Sequence, residues 1–285
     1  MMLNNDILIY ILSFLDDSNI FLKSITNRHY SELSILKKIY FKLKLTKKYS
    51  LEYYENDLYR TYINDNYKMI YINLSRNRNI TDITVLRDVY ELDLSYCYGL
   101  TDASNISLLG NVHTLNLSQC DKITDITALG RVHTLILCNF LNITKHNLAA
   151  LSHVHTLNLS WCKITNDHNI SVLGNIHTLN LTGCELITDV SALGNVHTLD
   201  LSGANGITDV SALGNVHTLY LYKCYRITDV SALGNVHTLD LSSCSKITNI
   251  SALGNVHTLN LYGCYRITDF SALSRVPKLK LDGSN

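Results

Sequence analysis

The sequence predicts an α/β solenoid, built from stacked copies of one short unit and preceded by a small all-helical module. The first observation behind this prediction is a repeat, of which Leu193 to Ala212 is the clearest copy. Its histidine recurs at intervals of 20 or 22 residues, at His113, His133, His155, His177, His197, His217, His237 and His257. The second is the alternation of Thr198-Leu199-Asp200-Leu201-Ser202, which is typical of a half-buried strand. A fixed period near 20 residues indicates a solenoid.

The repeats fill residues 69–285 with about eleven copies, because weaker copies extend the series back to Ile70 and forward to Pro277. Ordering one copy costs roughly 1.5 kcal/mol per residue, so a copy is stable only when neighbours cover both of its flanks. We therefore expect the strands to stack into a parallel sheet whose outward side chains form a polar concave face.

The sequence of each copy also predicts which of its residues are buried and where a convex turn forms. The interior is expected to contain Val196, Ile207, Val210 and Leu213. Thr208 or Asp209 should cap a short convex helical turn, and Gly214 should end that turn in the left-handed conformation. In the longer copies the extra residues fall in this convex segment.

The spacing Leu-x-x-Leu-x-Leu-x-x-Cys-x-x-Ile-Thr-Asp closely resembles the cysteine-containing class of leucine-rich repeats, which often follows an F-box. The resemblance implies a right-handed arc with a parallel concave sheet and short convex helical turns. The copies are shorter than is usual in that class. The segment Ile-Thr-Asp-Val-Ser-Ala-Leu also resembles the repeats of bacterial internalins.

Residues 1–40 predict a helical module, with a helix-start signal at Asn4-Asn5-Asp6 and apolar residues at helical spacing after it. Ile11-Leu12-Ser13-Phe14-Leu15-Asp16 and Asn27-Arg28-His29-Tyr30 resemble an F-box, although Asn4 replaces the usual proline. The resemblance implies docking on a Skp-family adaptor of cullin-RING ubiquitin ligases. It implies that the adaptor-binding residues are Leu3, Ile7, Leu8, Ile11, Leu12, Phe14 and Leu15. The alternative is that these helices only cap the first repeat.

Residues 41–68 are rich in lysine and tyrosine and predict a helical linker that caps the first strand. The formal net charge of 0 offers no basic footprint for nucleic acid, and no segment indicates a membrane partner.

Seven of the eight cysteines occupy the same position of successive repeats, where their thiols should point inward and satisfy turn carbonyls. Side chains projecting in parallel from neighbouring strands are badly oriented for a disulfide. No Cys-x-x-Cys pair is present, so zinc is not expected. Reduced buried thiols favour the cytoplasm or nucleus, which would be the host cytoplasm for a viral protein.

The sequence predicts no enzyme, cofactor or metal, because phosphate loops, nucleophile elbows and paired catalytic carboxylates are missing from it. The histidine column could bind metal, but copying one unit explains it, and close stacking should lower the pKa of these imidazoles. We interpret the column as structural.

Function is therefore expected on the concave face, where two places break the polar pattern. These candidate target-binding residues are Ile136, Cys138 and Trp161 in one patch, and Tyr220, Tyr222, Lys223, Asp240 and Tyr262 in the other. Exposed aromatic residues beside charges are typical of interaction hot spots. Together with this face, the resemblance to an F-box implies a substrate-recognition subunit of a Skp/cullin/F-box ubiquitin ligase. Its alternatives are an interaction scaffold without a ubiquitin link, a secreted adhesin of internalin type and, least of all, an enzyme.

Overall fold

Short parallel strands form wherever the repeat places a leucine between two polar residues. The computed structural model describes residues 42–165 and 170–281. The seven residues expected to bind an adaptor lie outside this part of the chain. The described residues fall into two units, one containing 42–74 and 88–93 and the other containing the remainder.

The first unit contains three parallel strands and two helices. These elements are β1 (Lys42–Lys44), α1 (Lys47–Glu55), α2 (Asp57–Asn66), β2 (Met69–Asn73) and β3 (Glu91–Asp93). Leu43 of β1 pairs with Ile70, and Ile72 pairs with Leu92. The linker expected over 41–68 thus contains two helices, but also a strand that the sequence did not predict. Lys42 and its partner Met69 are 27 residues apart, so the position of β1 does not follow the repeat period.

The second unit continues the pattern through nine further strands of three residues each. They are β4 (Thr114–Asn116), β5 (Thr134–Ile136), β6 (Thr156–Asn158), β7 (Thr178–Asn180), β8 (Thr198–Asp200), β9 (Thr218–Tyr220), β10 (Thr238–Asp240), β11 (Thr258–Asn260) and β12 (Lys278–Lys280). Neighbouring strands are parallel and in register, so that Leu179 pairs with Leu199 and Leu199 with Leu219.

The interior is the one that the repeat predicts. Leu199, Leu201 and Leu213 are completely buried, and Val196, Ile207 and Val210 are at most 2% exposed. The cysteine thiols also point inward, and Cys224 Sγ donates to the carbonyl of Leu201, in the preceding repeat, at 3.2 Å. No disulfide links the eight cysteines, all of which belong to the described residues.

Most convex segments are single 3-10 turns, such as Ser211–Asn215, and the copy with α3 (Lys145–Ala150) has a short α-helix instead. The predicted cap is confirmed, because Asp209 Oδ1 accepts the N–H of Ser211 at 2.8 Å. The prediction that Gly214 is left-handed is wrong. Glycine is needed there because a Cβ would overlap the carbonyl oxygen of Ala232 in the next repeat.

A left-handed residue lies instead three positions after the last residue of the strand, just before the cysteine or the residue that replaces it. This position is occupied by Arg76, Tyr96, Gln119, Asn139, Trp161, Gly183, Gly203, Lys223, Ser243 and Gly263. Their φ values lie between 51° and 75°. Each of these residues turns the chain from the sheet towards the convex side.

Candidate functional site

The outward strand face comprises the side chains that alternate with the buried leucines, and most of its central positions serve the fold. Asp200 Oδ1 accepts the N–H of Ser202 at 2.9 Å, and Asn158 and Asn180 accept equivalent bonds from the residues two positions later. These side chains cap the ends of their strands. A side chain other than Asp or Asn at the central outward position of a strand therefore does not have this capping role.

Tyr220 is the clearest such position, and it lies in register between Asp200 and Asp240 on the adjacent strands. We call Tyr220, Tyr222, Lys223, Asp240 and Tyr262 the tyrosine patch. The three rings are 37%, 41% and 48% exposed, in chain order. The structure thus brings these five predicted residues together on strands β9 to β11 and the turns that follow them.

Two lysine ammonium groups lie close to rings of the tyrosine patch. Lys223 Nζ lies 5.0 Å from the ring centroid of Tyr222, and Lys280 Nζ lies 5.7 Å from that of Tyr262. A hydrogen bond to Tyr222 raises the pKa of Lys223. Sequence reasoning did not assign Lys280 to the patch, although its column position on the neighbouring strand could have indicated it.

Ile136 and Cys138 form a smaller break in the polar pattern on β5 and its turn. Both side chains are half-buried. Ile136 cannot cap the strand, and the Ser118 hydroxyl accepts the N–H of Cys138 instead, at 3.1 Å. The Ser160 hydroxyl donates to Cys138 Sγ, also at 3.1 Å. Because of these polar contacts, only part of the surface formed by Ile136 and Cys138 is apolar.

Trp161, the only tryptophan, is 59% exposed and occupies a left-handed position with φ of 63°. Its six-membered ring lies over Gly183 in the following repeat, where a Cβ would overlap the ring atoms. The indole therefore leans towards β7, the strand on the side of Trp161 away from Ile136 and Cys138. The predicted first patch is thus less continuous than the tyrosine patch.

The eight repeat histidines form a stacked ladder along the start of the strands. Neighbouring ring centroids are 4.5 or 4.6 Å apart, with interplanar angles of 10° to 15°. Each Nδ1 lies 3.2 or 3.3 Å from the hydroxyl of the following threonine. Nearly parallel rings direct their in-plane lone pairs side by side rather than towards a common point. Across residues 42–165 and 170–281, no group of three or more His, Cys, Asp or Glu side chains could hold a metal ion.

Desolvation, followed by the charges of neighbouring imidazoles, lowers the pKa of His197 and His237. Separately, none of the described helices has the length and apolar character needed to cross a membrane.

Comparisons with known proteins agree with this architecture. A leucine-rich-repeat family model matches residues 150–167. No curated protein sequence matches the chain.

Among solved structures, internalin InlF of Listeria monocytogenes is 22% identical, with a TM-score of 0.59 over 77% of this chain and 68% of its own. The repeat protein LegL7 of Legionella pneumophila is 18% identical, with a TM-score of 0.46 over 68% of this chain and 83% of its own. The InlF similarity shows the fold alone. The described strands and turns therefore have the fold of a leucine-rich-repeat solenoid, and the family model matches one of the repeats.

Proposed function

We propose that this protein binds another protein through its outward strand face, with the tyrosine patch as the centre of the interface. The observation that carries the proposal is that three exposed tyrosines replace small polar residues: Tyr220 stands at the position of a capping Asp or Asn, and Tyr222 and Tyr262 stand where most other repeats have Ser or Thr. Interface hot spots are enriched in tyrosine because its ring buries a large apolar area and its hydroxyl can form a hydrogen bond.

The scaffold beneath the patch favours binding, because the tyrosines project from hydrogen-bonded turns above a buried leucine core. Lys223 N–H donates to Ser242 O at 2.9 Å, and Leu221 N–H donates to Asp240 O at 2.8 Å. A surface that is already ordered loses little conformational entropy when a partner binds.

The finer proposal is that the bound protein is a ubiquitination target. In this proposal, residues 1–40 dock on a Skp-family adaptor and cullin while the repeats present the target. The resemblance of Ile11-Leu12-Ser13-Phe14-Leu15-Asp16 to an F-box supports it. The alternative is a scaffold that binds the same target without a ligase.

The test is affinity capture of the full chain from eukaryotic cytosol, followed by mass spectrometry. The patch variant combines Tyr220→Asn, Tyr222→Ser and Tyr262→Ser, which restore residues found at the same positions of other repeats, so it should fold. We expect it to lose the target but to keep the adaptor and cullin. We expect Ile11→Ala with Leu12→Ala to show the opposite pattern.

A matched control replaces Tyr225 and Tyr265 by serine, because both are exposed but follow the cysteine position, and Ser245 occupies that position in the repeat between them. This control should retain every partner. Retention of the target by the patch variant would place the interface elsewhere. Absence of adaptor and cullin from every capture, with the target retained, would support the scaffold alternative.

A further inference from the structure

Two of the patch tyrosines occupy the same position on turns that are separated by one intervening turn. Ser243 N–H donates to Tyr262 O at 2.7 Å, and Lys223 N–H donates to Ser242 O at 2.9 Å, so Tyr222, Ser242 and Tyr262 occupy the same position on consecutive turns. Two strand spacings separate the tyrosines, about 9.6 Å. Stacked planar groups need about 3.5–4.0 Å between planes, so a single planar group fits between the rings. We call this space the tyrosine slot.

The floor of the slot is small and acidic. Ser242 is only 5% exposed, and its hydroxyl donates to Asp240 Oδ1, so its small side chain lies beneath the outward surface rather than projecting between the rings. Asp240, two residues earlier, accepts the N–H of Ser242 through Oδ1 and an amide hydrogen of Asn260 through Oδ2, at 2.8 and 2.9 Å. Each carboxylate oxygen accepts about two hydrogen bonds, so Oδ2 retains capacity for another donor. Asp200, on the other side of Tyr220, adds a second negative charge to this surface.

We propose that the tyrosine slot binds an arginine side chain of the protein partner, an inference that rests on the proposed protein-binding function. The guanidinium is planar, stacks on aromatic rings and forms directional hydrogen bonds to carboxylates. Tyr222 and Tyr262 supply the two faces, Asp240 supplies the charge, and Tyr220 covers the stem. A neutral planar side chain would leave the carboxylate without a counter-charge.

The lysines of the patch restrict the partner further. Lys280 lies on the strand beyond Tyr262, on the side away from Ser242, and Lys223 lies beside Tyr222. Their ammonium groups repel a strongly basic partner segment. The surface therefore fits one arginine flanked by neutral or acidic residues rather than a polybasic stretch.

The probe is a short capped peptide, acetyl-Gly-Ser-Arg-Ser-Gly-amide, titrated into the full chain and followed by NMR. Its controls carry citrulline, which has the same shape without the charge, or lysine, in place of arginine. We expect the amide signals of Ser243 and Gly263 to shift with the arginine peptide. We expect roughly tenfold weaker binding of the citrulline peptide, since it loses both the cation–π and the ion-pair contribution.

Asp240→Asn is the decisive variant, because asparagine occupies this position in five other repeats (Asn73, Asn116, Asn158, Asn180 and Asn260) and should preserve the fold. It should remove the preference for arginine over citrulline. Tyr222→Ser should weaken arginine binding about two- to fivefold. Tyr265→Ser, outside the slot, should leave binding unchanged.

Equal binding of arginine and citrulline peptides, shifts confined to other regions, or an unchanged preference in Asp240→Asn would each overturn the arginine assignment. Stronger binding of the lysine peptide would also overturn it. Those results would leave the proposed function standing if the patch variant still lost its captured partner. Retention of that partner by the patch variant would instead count against the proposed function itself.

Discussion

At the residue scale, the glycine of each Leu-Gly-Asn segment is explained by the neighbouring repeat rather than by its own backbone. A Cβ on Gly254 would lie 2.6 Å from the carbonyl oxygen of Ala272, and one on Gly110 would lie 2.7 Å from that of Ala128. A backbone atom cannot move aside as a flexible side chain can. The glycines therefore allow consecutive convex turns to approach closely.

Replacing Gly214 by alanine should consequently destabilise the chain by about 1–3 kcal/mol, as overpacking does. Urea unfolding monitored by circular dichroism would measure the loss. The matched control is Gly203→Asn, because a Cβ at Gly203, which has φ of 70°, would make only ordinary contacts at 3.8 Å or more, and Asn139 has a left-handed conformation at the same position of another repeat. A cost at Gly214 no larger than at Gly203 would contradict the close-approach explanation.

The conformation of Gly214 could not be predicted from the sequence. Leu-Gly-Asn after a short helical turn is typical of a left-handed C-cap, so the sequence predicted that conformation for Gly214. A single copy contains no information about which backbone atom of the next copy faces it. The reason for the glycine is the close approach of the Ala232 carbonyl oxygen in the next repeat, which only the structure shows.

At the element scale, each strand is followed by a turn whose cysteine side chain is buried in the interior. Burial raises the pKa of Cys162, Cys184 and Cys224 to about 12. The thiolate is the nucleophile in alkylation, so thiols held neutral in the interior should react very slowly. Cys138 differs because it takes a position on the outward face and is half-buried.

We therefore expect iodoacetamide at pH 8 to label Cys138 in the native chain and all eight cysteines after denaturation. Peptide mass spectrometry identifies the labelled sites. In the Cys138→Ser variant, whose new side chain matches Ser118 and Ser160, the native chain should take up no label. Labelling of Cys224 as fast as Cys138 would show that the interior is not closed.

The strands of the repeats were predictable because two leucines separated by one polar residue recur at a fixed period. Strand β1 was not, since Lys42-Leu43-Lys44 has one apolar residue and two helices separate it from β2. The predicted convex turn was correct in position and in its aspartate cap. The turn over Ser211–Asn215 has 3-10 rather than α-helical geometry.

At the scale of the whole repeat array, alignment of the copies revealed the candidate site. Tyr220 and Tyr222 stand out because the same columns contain small polar residues elsewhere, and the structure places both on an exposed surface. The directions of long side chains could not be predicted in this way. The position of Lys280 against Tyr262 and the lean of Trp161 over Gly183 depend on contacts between repeats.

The histidine ladder also acts across many repeats, and it should make stability depend on pH. The pKa values of His197 and His237 lie below the ordinary value of about 6.5, because desolvation and neighbouring imidazoles disfavour the charged form. Below that value the unfolded chain binds more protons than the folded chain. The stability associated with the neutral forms of these two imidazoles is therefore complete above about pH 6.5 and decreases as the pH falls through their folded pKa values.

The capping aspartates give a second and separate pH window. Hydrogen bonds from serine N–H groups lower the pKa of Asp189, Asp209, Asp229 and Asp269 from 3.8. Their contribution to stability is present above about pH 3.8 and is lost as the pH falls below it. Any decrease between pH 6.5 and 5 therefore belongs to the imidazoles rather than to these carboxylates.

Urea unfolding midpoints measured from pH 8 to pH 3 should consequently stay constant at first and then decrease from about pH 6.5. A variant with His197→Gln and His237→Gln removes the two imidazoles whose pKa is lowered, so its decrease between pH 6.5 and 5 should be smaller. The decrease that both chains show near pH 3.8 should remain, because the aspartate caps are unchanged. A flat profile between pH 6.5 and 5 in the parent chain would mean that the stacked imidazoles titrate alike in the folded and unfolded states. The ladder would then be a by-product of repetition without an energetic consequence.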